Sequence, residues 1–596
     1  MLHERVMKNS DLFLQNLKLL KRKDPSLAAL LSLTSLTPSS LDETKACELN
    51  YNIDLGKSVF ALHDPISAQE EADQQIHPLT LKPIKRLIFF GVGLGYLLNS
   101  LKSWFHEDQK RQLIIFEDQI EVLKVLFSTS LGTFLLHQNQ VKIFYFKTPQ
   151  FWESKQAVIQ KYLSLPFEIT ALPSYLKNRE DEFKVLYNRL INLSIDQNMS
   201  FAEYIYVSPL VYKNVLNNAI KLPKAFDIYA LKDAFKDLPT IICGAGPSLN
   251  KNGARLNKLR DRALIFAGGR ALSVLNDLGV EPHLTIGIDP YEEHKVTLRC
   301  NNFFELPLIY RSRMQHEAVE LAQGFLLYTP GAVGYSFVQW LESSLSISSP
   351  FLEEGLNVVN FNLQIARILG CNPIILVGSD LAYTDQKAYS DSIPDEQFLP
   401  DPHEFQSDDL TLNRGYLRKD LHGDPIFTLW KWTEEAKWIE EFSKKYPAQT
   451  ILNATEGGLK LEGLEHITLK KAEEKYLTTS YDFSAYLHQG IMQAPSYNLE
   501  KKQVFLKVEL FHQSIIKSLH LLDCLVSASS PLLESDLVNE PAYSHLLRPL
   551  EDLFERVEEE PSKKARDKKK HLFLKEKLSS YEVIFKKFLE DASLTA

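Results

Sequence analysis

The 596-residue chain has only five cysteines, Cys47, Cys243, Cys300, Cys371 and Cys524, and no two of them form a Cys-x-x-Cys pair. Neither a zinc site nor a disulfide framework is expected, and no metal ligand set is assigned. Cys243 and Cys371 stand in or beside apolar runs and read as small core residues. No run of about 18 apolar residues occurs, which argues against a membrane-spanning helix. The opening residues, Met-Leu-His-Glu-Arg-Val-Met-Lys-Asn, lack the apolar core of a secretory signal, so a cytoplasmic protein is expected. Positive charge is not in excess: the net charge is −9 and the pI about 6.0. That balance argues against a nucleic-acid partner. No internal repeat of solenoid period is visible.

What remains is an ordinary globular composition, 44% hydrophobic and 24% charged. The length exceeds one core, so roughly two to four domains are expected. The segments read as an N-terminal helical or mixed piece (1–80), a Rossmann-like domain (81–200), a helical connector (201–224), a central domain (225–466) and a helical C-terminal region (467–596). The predicted class is α/β, with two Rossmann-like domains.

The most informative stretch runs from Thr240 to Pro290. Thr240–Cys243, Leu264–Ala267 and Leu284–Ile288 are short apolar runs that read as buried strands, ending respectively in Gly244-Ala-Gly246, Gly268-Gly269 and Asp289. Pro247 fixes φ at the start of the next helix and Ser248 can accept from its free N–H groups. A strand, a glycine turn and a helix N-terminus form an anion site, and ligands of doubly wound sheets lie beyond the carboxyl ends of the strands. A nucleotide or sugar-nucleotide site is therefore expected here, with Gly246→Val abolishing binding in a folded protein. The stretch is not the dinucleotide fingerprint: the third glycine is missing, and Gly-Gly replaces a ribose-binding acid on the second strand.

Two further regions carry chemistry. In the first, the strand Arg86–Phe90, the turn Gly91-Val-Gly-Leu-Gly95, the helix Tyr96–Trp104 and the strand Leu113–Phe116, ending in Glu117-Asp118, resemble the S-adenosylmethionine-binding fold of methyltransferases. Phe90 stands where an acid usually precedes the first glycine, and no Asn-Pro-Pro-Tyr-like loop follows, so a structural domain without methyl transfer is expected. In the second, Asn357–Gly370 reads as an amphipathic helix with a glycine stop. Pro373–Val377 is a β-rich run leading into Gly378-Ser-Asp380, which puts Asp380 at the same sheet edge as Gly246 and Asp289. From Asp385 to Thr428 the chain is polar and long enough to be a lid or binding loop. It contains His403 and His422. Trp430–Tyr446 is a helix, and Ile451–Gly458 a strand running into a turn. The charge-segregated run Glu551–Lys577, with Glu558-Glu559-Glu560 and six basic residues in Lys563–Lys570, reads as a solvated helix or linker.

Four motifs occur in order: Gly-Ala-Gly-Pro-Ser-Leu (244–249), Val-Glu-Pro-His-Leu-Thr-Ile-Gly-Ile-Asp-Pro (280–290), Leu-Gly-Cys-Asn-Pro-Ile-Ile-Leu-Val-Gly-Ser-Asp-Leu-Ala-Tyr-Thr (369–384) and Leu-Asn-Ala-Thr-Glu-Gly-Gly (452–458). Together they resemble the motility accessory factor (Maf) flagellin glycosyltransferases, whose central domain is shared with MptE-like 6-hydroxymethyl-dihydropterin pyrophosphokinases and resembles bacterial sialyltransferases. The resemblance implies a nonulosonic (sialic-acid-like) sugar activated as a CMP conjugate and a Ser/Thr hydroxyl of a flagellin-like protein acceptor, with no resident cofactor. It places Lys387-Ala388-Tyr389 where Maf sequences often have a Thr/Ser-His pair, and Phe361 where a sialyltransferase tyrosine contacts the donor phosphate. The candidate catalytic residues are Asp380, His422 and Asp289, with His403 a further candidate base. The candidate donor-binding residues are Gly244, Gly246, Pro247, Ser248, Gly268, Asp289, Thr455, Glu456 and Gly457. Two other readings stand beside transfer: an ATP/Mg²⁺-dependent pterin pyrophosphokinase, with Asp289 and Asp380 holding the metal, and a non-catalytic nucleotide-binding scaffold.

Overall fold

The computed structural model describes residues 10–56, 58–148, 150–163, 167–299, 301–332, 334–348, 350, 352–393, 415–527, 530–557 and 562–593. The chain divides into two compact units, Met1–Asn198 and Met199–Ala596.

The first unit begins with the helices Ser10–Lys23 and Pro25–Leu33 and a small antiparallel sheet of β1 (Leu41–Glu43), β2 (Leu49–Asp54) and β3 (Val59–Ala61). A four-stranded parallel sheet follows, built from β4 (Arg86–Phe90), β5 (Gln112–Glu117), β6 (Val141–Tyr145) and β7 (Phe167–Ala171) in the order β6-β5-β4-β7. Leu87, Ile88, Phe89 and Phe90 are all buried, because helices cover both faces of a parallel sheet. The helix expected over 96–104 is broken at Leu101 into Tyr96–Ser100 and Lys102–Glu107. Among the described residues no single helix is long and apolar enough to cross a membrane. One bent pair, Ile120–Leu126 and Ser130–His137, passes by length and composition. Its apolar residues Val122, Leu123, Leu126, Leu135 and Leu136 pack into this unit's core.

The second unit is built on a nine-stranded sheet. Its strands are β8 (Phe226–Asp227), β9 (Thr240–Cys243), β10 (Leu264–Gly268), β11 (Leu284–Gly287), β12 (Leu308–Tyr310), β13 (Leu326–Tyr328), β14 (Ile374–Val377), β17 (Ile451–Asn453) and β18 (Glu465–His466). They lie in the order β18-β17-β14-β9-β10-β11-β12-β13-β8, every neighbour parallel. The hairpin β15 (Gly415–Lys419) and β16 (Pro425–Leu429) stands apart from the sheet. The order changes direction at β9, between β10 and β14, which is where a doubly wound sheet opens a crevice.

Alternation along the strands explains the two cores. Ile241, Cys243, Ile265 and Ala267 point to one face, where they join the helix Ser208–Ala219 and the C-terminal helices. Ile242, Leu264, Phe266 and Ile286 point to the other, against the helix Val358–Leu369. The segments read as connector, centre and helical C-terminal region therefore share one body. The Ser208 hydroxyl lies 2.8 Å from the Tyr581 hydroxyl of the last helix, Lys563–Ser593. The basic run at the start of that helix is partly neutralised, since Lys570 reaches Glu551 at 2.7 Å. Glu558–Glu560 and residues 394–414 of the polar stretch, including His403, lie outside the described residues.

Candidate active site

A cleft of about 600 Å³ opens beyond the carboxyl ends of β9, β10, β11 and β14. Gly244 and Gly246 follow β9, Gly268 and Gly269 end β10, Asp289 follows β11, and Ser379 and Asp380 follow β14, and all seven line it. Three more elements close the walls: the N-termini of the helices Arg270–Asp277 and Val358–Leu369, and the first turns of Trp430–Lys445. The last helix brings Lys431, Trp432 and Glu435 into the cleft. Trp432 is seated by Tyr383, ring centroids 5.1 Å apart, and the 381–384 arm is stitched to β16 by Tyr383 N–H to Phe427 O at 2.9 Å and Thr428 hydroxyl to Leu381 O at 2.7 Å.

The turn after β9 differs from its sequence-based reading. The helix that follows it has only four residues, Leu249–Asn252, and the Ser248 hydroxyl gives it no cap bond. That hydroxyl donates instead to Asp380 Oδ2 at 2.6 Å, and the Ser248 N–H donates to Oδ1 at 3.3 Å. A Cβ on Gly246 would lie 2.0 Å from Asp380 Oδ2, and one on Gly458 would lie 2.0 Å from the Asp380 carbonyl oxygen. These glycines make room for Asp380, whose carboxylate fills the place expected for a phosphate. Asp380 is 1% exposed, and burial pushes its carboxyl above the usual range against the pull of the Ser248 bonds. It ties three loops together, and its two hydrogen bonds from Ser248 commit the carboxylate to holding the turn.

A stretch of the wall with positive groups lies one strand over. Gly268-Gly269 leads into the helix Arg270–Asp277, whose first N–H groups have no intrahelical acceptor and carry the positive end of its dipole. Arg270 starts that helix, with its guanidinium 4.3 Å from the centroid of the Tyr389 ring. Lys431 adds a second cation, with an ammonium that burial makes more acidic. Also on the cleft wall, Asn357 caps the helix Val358–Leu369: its Oδ1 accepts from Asn360 N–H at 2.8 Å, and its Nδ2 donates to Glu435 Oε2 at 2.7 Å. Burial pushes the Glu435 carboxyl up to about 7, with Asp289 adding to the shift and Asn357 and Lys431 opposing it.

Comparison with known proteins agrees with this architecture. Residues 213–386 match the family described as 6-hydroxymethylpterin diphosphokinase MptE-like. A solved structure of a Maf glycosyltransferase from Magnetospirillum magneticum AMB-1 is similar with a TM-score of 0.57 at 15% identity, covering 98% of this chain and 95% of that one. The chain has the fold of that Maf glycosyltransferase. No curated protein sequence matches it.

Within this Maf fold the remaining sequence-predicted residues scatter. Pro247, Ser248, Thr455 and Gly457 do not line the cleft; the Thr455 hydroxyl accepts from Ser379 N–H at 3.3 Å, bracing the loop under Asp380. His422 and Glu456 line a second cleft of about 670 Å³, beside His466 and Lys471, which shares no residue with the first. Glu456 Oε1 accepts from Leu469 N–H at 2.8 Å and from the Asn252 amide at 3.2 Å. Phe361 is fully buried beneath the Arg311 guanidinium, 5.0 Å from its ring centroid, and is absent from the cleft wall. The Lys387-Ala388-Tyr389 segment does reach the cleft, through Ala388 and Tyr389, while Lys387 pairs with Asp391 at 2.5 Å. Reading the sequence missed Arg270, Asn357, Lys431 and Glu435. Only the cap signal at Asn357 marked any of them, because the others belong to helices whose relation to the strands is set by tertiary packing.

The glycine turn of the first unit is filled by protein. A Cβ on Gly93 would lie 2.4 Å from His63 Cε1, and the His63 Nε2 accepts from Leu94 N–H at 2.9 Å. Glu117, the strand-end acid, accepts from Val92, Asp118 and Gln119 N–H and from the Tyr175 hydroxyl, all at 2.9–3.0 Å. Its oxygens serve the loop itself.

Proposed function

We propose that the second unit transfers a nonulosonic sugar from a CMP-activated donor to a Ser or Thr hydroxyl of a flagellin-like protein acceptor. The observation that carries this reading is one cleft lined both by cationic groups, Arg270, Lys431 and the N-terminus of Arg270–Asp277, and by the carboxylates Asp289 and Glu435. Glycosyl transfer from a nucleotide donor expels a phosphate monoester, which the cationic groups can hold as negative charge develops. Asp289 takes hydroxyl groups of donor or acceptor in this reading. The likeness to a Maf glycosyltransferase supports the reaction class, and the sequence resemblance supports the CMP donor and the hydroxyl acceptor.

The MptE-like match over 213–386 favours a second reading, pyrophosphoryl transfer from ATP/Mg²⁺. Asp380, one of the two carboxylates which that reading assigns to the metal, is tied to Ser248, and this weighs against it. Thermal shift with CMP, CTP and ATP/Mg²⁺ on one sample separates the readings. A ligand at about 100 times its Kd stabilises by about 2.7 kcal/mol, and stabilisation by CMP without ATP/Mg²⁺ is expected. Stabilisation by ATP/Mg²⁺ alone would overturn sugar transfer in favour of the pyrophosphokinase, and silence across the panel would favour a scaffold.

A further inference from the structure

We infer that Glu435 is the proton acceptor for the incoming hydroxyl, held in place by Asn357. This rests on the transferase reading above. The cleft contains no histidine among its described lining residues. Asp380 is committed to Ser248, and His422 lines the other cleft. Glu435 is different in kind. The residue is half-buried and lines the cleft. One oxygen, Oε2, is oriented by the Asn357 amide at 2.7 Å, and that amide is itself fixed because its other end caps a helix.

The charge surroundings suit a base that works near neutrality. Lys431, one turn earlier on the same helix, and Arg270, from the facing helix N-terminus, supply positive charge. Asp289 and Glu293, from beyond β11, supply negative charge, and Asp380 follows β14 with its carboxyl pushed up by burial. Tyr291 and Tyr389 are pushed up by burial and stay neutral. With the carboxyl raised to about 7, Glu435 is basic enough to accept a proton and still a carboxylate at slightly alkaline pH. In the step, the acceptor oxygen bonds to the anomeric carbon and the bond from that carbon to the donor phosphate breaks. The electron pair leaves on the phosphate oxygen, and the hydroxyl proton passes to Glu435 and then to solvent.

Two variants of the full chain test this, each assayed for CMP binding and for transfer. Glu435→Gln keeps the size of the side chain and an acceptor for Asn357. It is expected to bind CMP within about twofold of wild type and to lose transfer by roughly 100-fold or more, the range for a missing general base. Asn357→Asp keeps the helix cap, since Asp and Asn rank alike there. It replaces the amide donor with a second carboxylate and is expected to move the acidic limb of the rate profile to higher pH by about one unit. Full transfer by Glu435→Gln, or an unmoved limb in Asn357→Asp, would overturn the assignment while leaving the transferase reading intact. Absence of CMP binding in the wild type would instead overturn that reading.

Discussion

Adding a single methyl group at Gly246 tests the arrangement around Asp380. The Cβ of Gly246→Ala would stand 2.0 Å from Asp380 Oδ2, 2.6 Å from its Cγ and 2.8 Å from its Cβ. The Asp380 side chain must give way, and toward Gly457 there is little room, since a Cβ there would already be 3.0 Å from Oδ1. Relief requires the Ser248–Asp380 bonds to break, at about 1.5–3 kcal/mol for a hydrogen bond to a charged group, with about 1–3 kcal/mol for overpacking. A loss of roughly 2.5–6 kcal/mol is expected, read as a lower urea midpoint for the second unit. The Gly246→Val expectation of a folded protein that merely fails to bind nucleotide is thereby corrected, since the larger side chain strikes the same carboxylate. The double variant Gly246→Ala/Asp380→Gly removes the clash and should lose at least about 1 kcal/mol less than the two single losses added together, the coupling of residues in contact. Wild-type stability in Gly246→Ala, or strict additivity in the double variant, would refute the latch.

Arg270→Met should weaken CMP binding about tenfold by removing a charge-assisted contact to the phosphate, and should flatten the dependence of affinity on salt; isothermal titration at two ionic strengths checks both. Glu435 also links stability to pH. Its folded-state value of about 7 lies above the ordinary 4.5, so its contribution is fully present below 4.5 and is lost as pH rises through about 7. The change is at most about 3 kcal/mol, and Glu435→Gln should remove that part of the slope in urea melts at a series of pH values. Asn357→Ala should cost about 1 kcal/mol through loss of the helix cap alone, a cap that Asn357→Asp keeps.

The parts of the fold that depend on local pattern were legible. Thr240–Cys243, Leu264–Gly268 and Leu284–Gly287 are strands with both faces buried, so continuous apolar runs marked them. The helix Val358–Leu369 begins at the Asn357 cap and stops at Gly370 with φ 81°, as its flanking residues signal. The site was legible only as a sheet edge. Gly-Ala-Gly-Pro-Ser has the composition of a phosphate turn, yet the same small residues are needed when a buried aspartate from β14, more than 130 positions away, must fit against the turn. Sequence spacing does not distinguish a ligand oxygen from a protein oxygen at that place. Glu435 was invisible for a related reason: a glutamate in a Trp- and Glu-rich helix looks solvated until the helix is set against the N-terminus of another and Asn357 is found 2.7 Å away.

The first unit poses the same question with a clearer answer, and Glu117→Gln settles it. In a methyl-donor site the strand-end acid is free to hold ribose hydroxyls, and neutralising it abolishes binding without harming the fold. Here Glu117 is fully buried, Oε2 accepts from Val92 N–H at 3.0 Å, and Oε1 accepts from Asp118 N–H, Gln119 N–H and the Tyr175 hydroxyl. Every donor points at the carboxylate, so an amide must turn its own N–H₂ toward one of them. The glutamine that leaves a ligand site intact would leave a buried donor facing a donor in this loop, at a cost of about 1–3 kcal/mol. His63 adds the second half of the argument, because its ring occupies the space over Gly93 and its Nε2 takes the Leu94 N–H. A ligand must displace an imidazole already bonded within the turn. S-adenosylmethionine at millimolar concentration is therefore expected to leave the melting temperature of the wild type unchanged, while Glu117→Gln lowers it by several degrees. Micromolar binding of S-adenosylmethionine that Glu117→Gln destroys without lowering the melting temperature would show that the acid serves a ligand and not the loop.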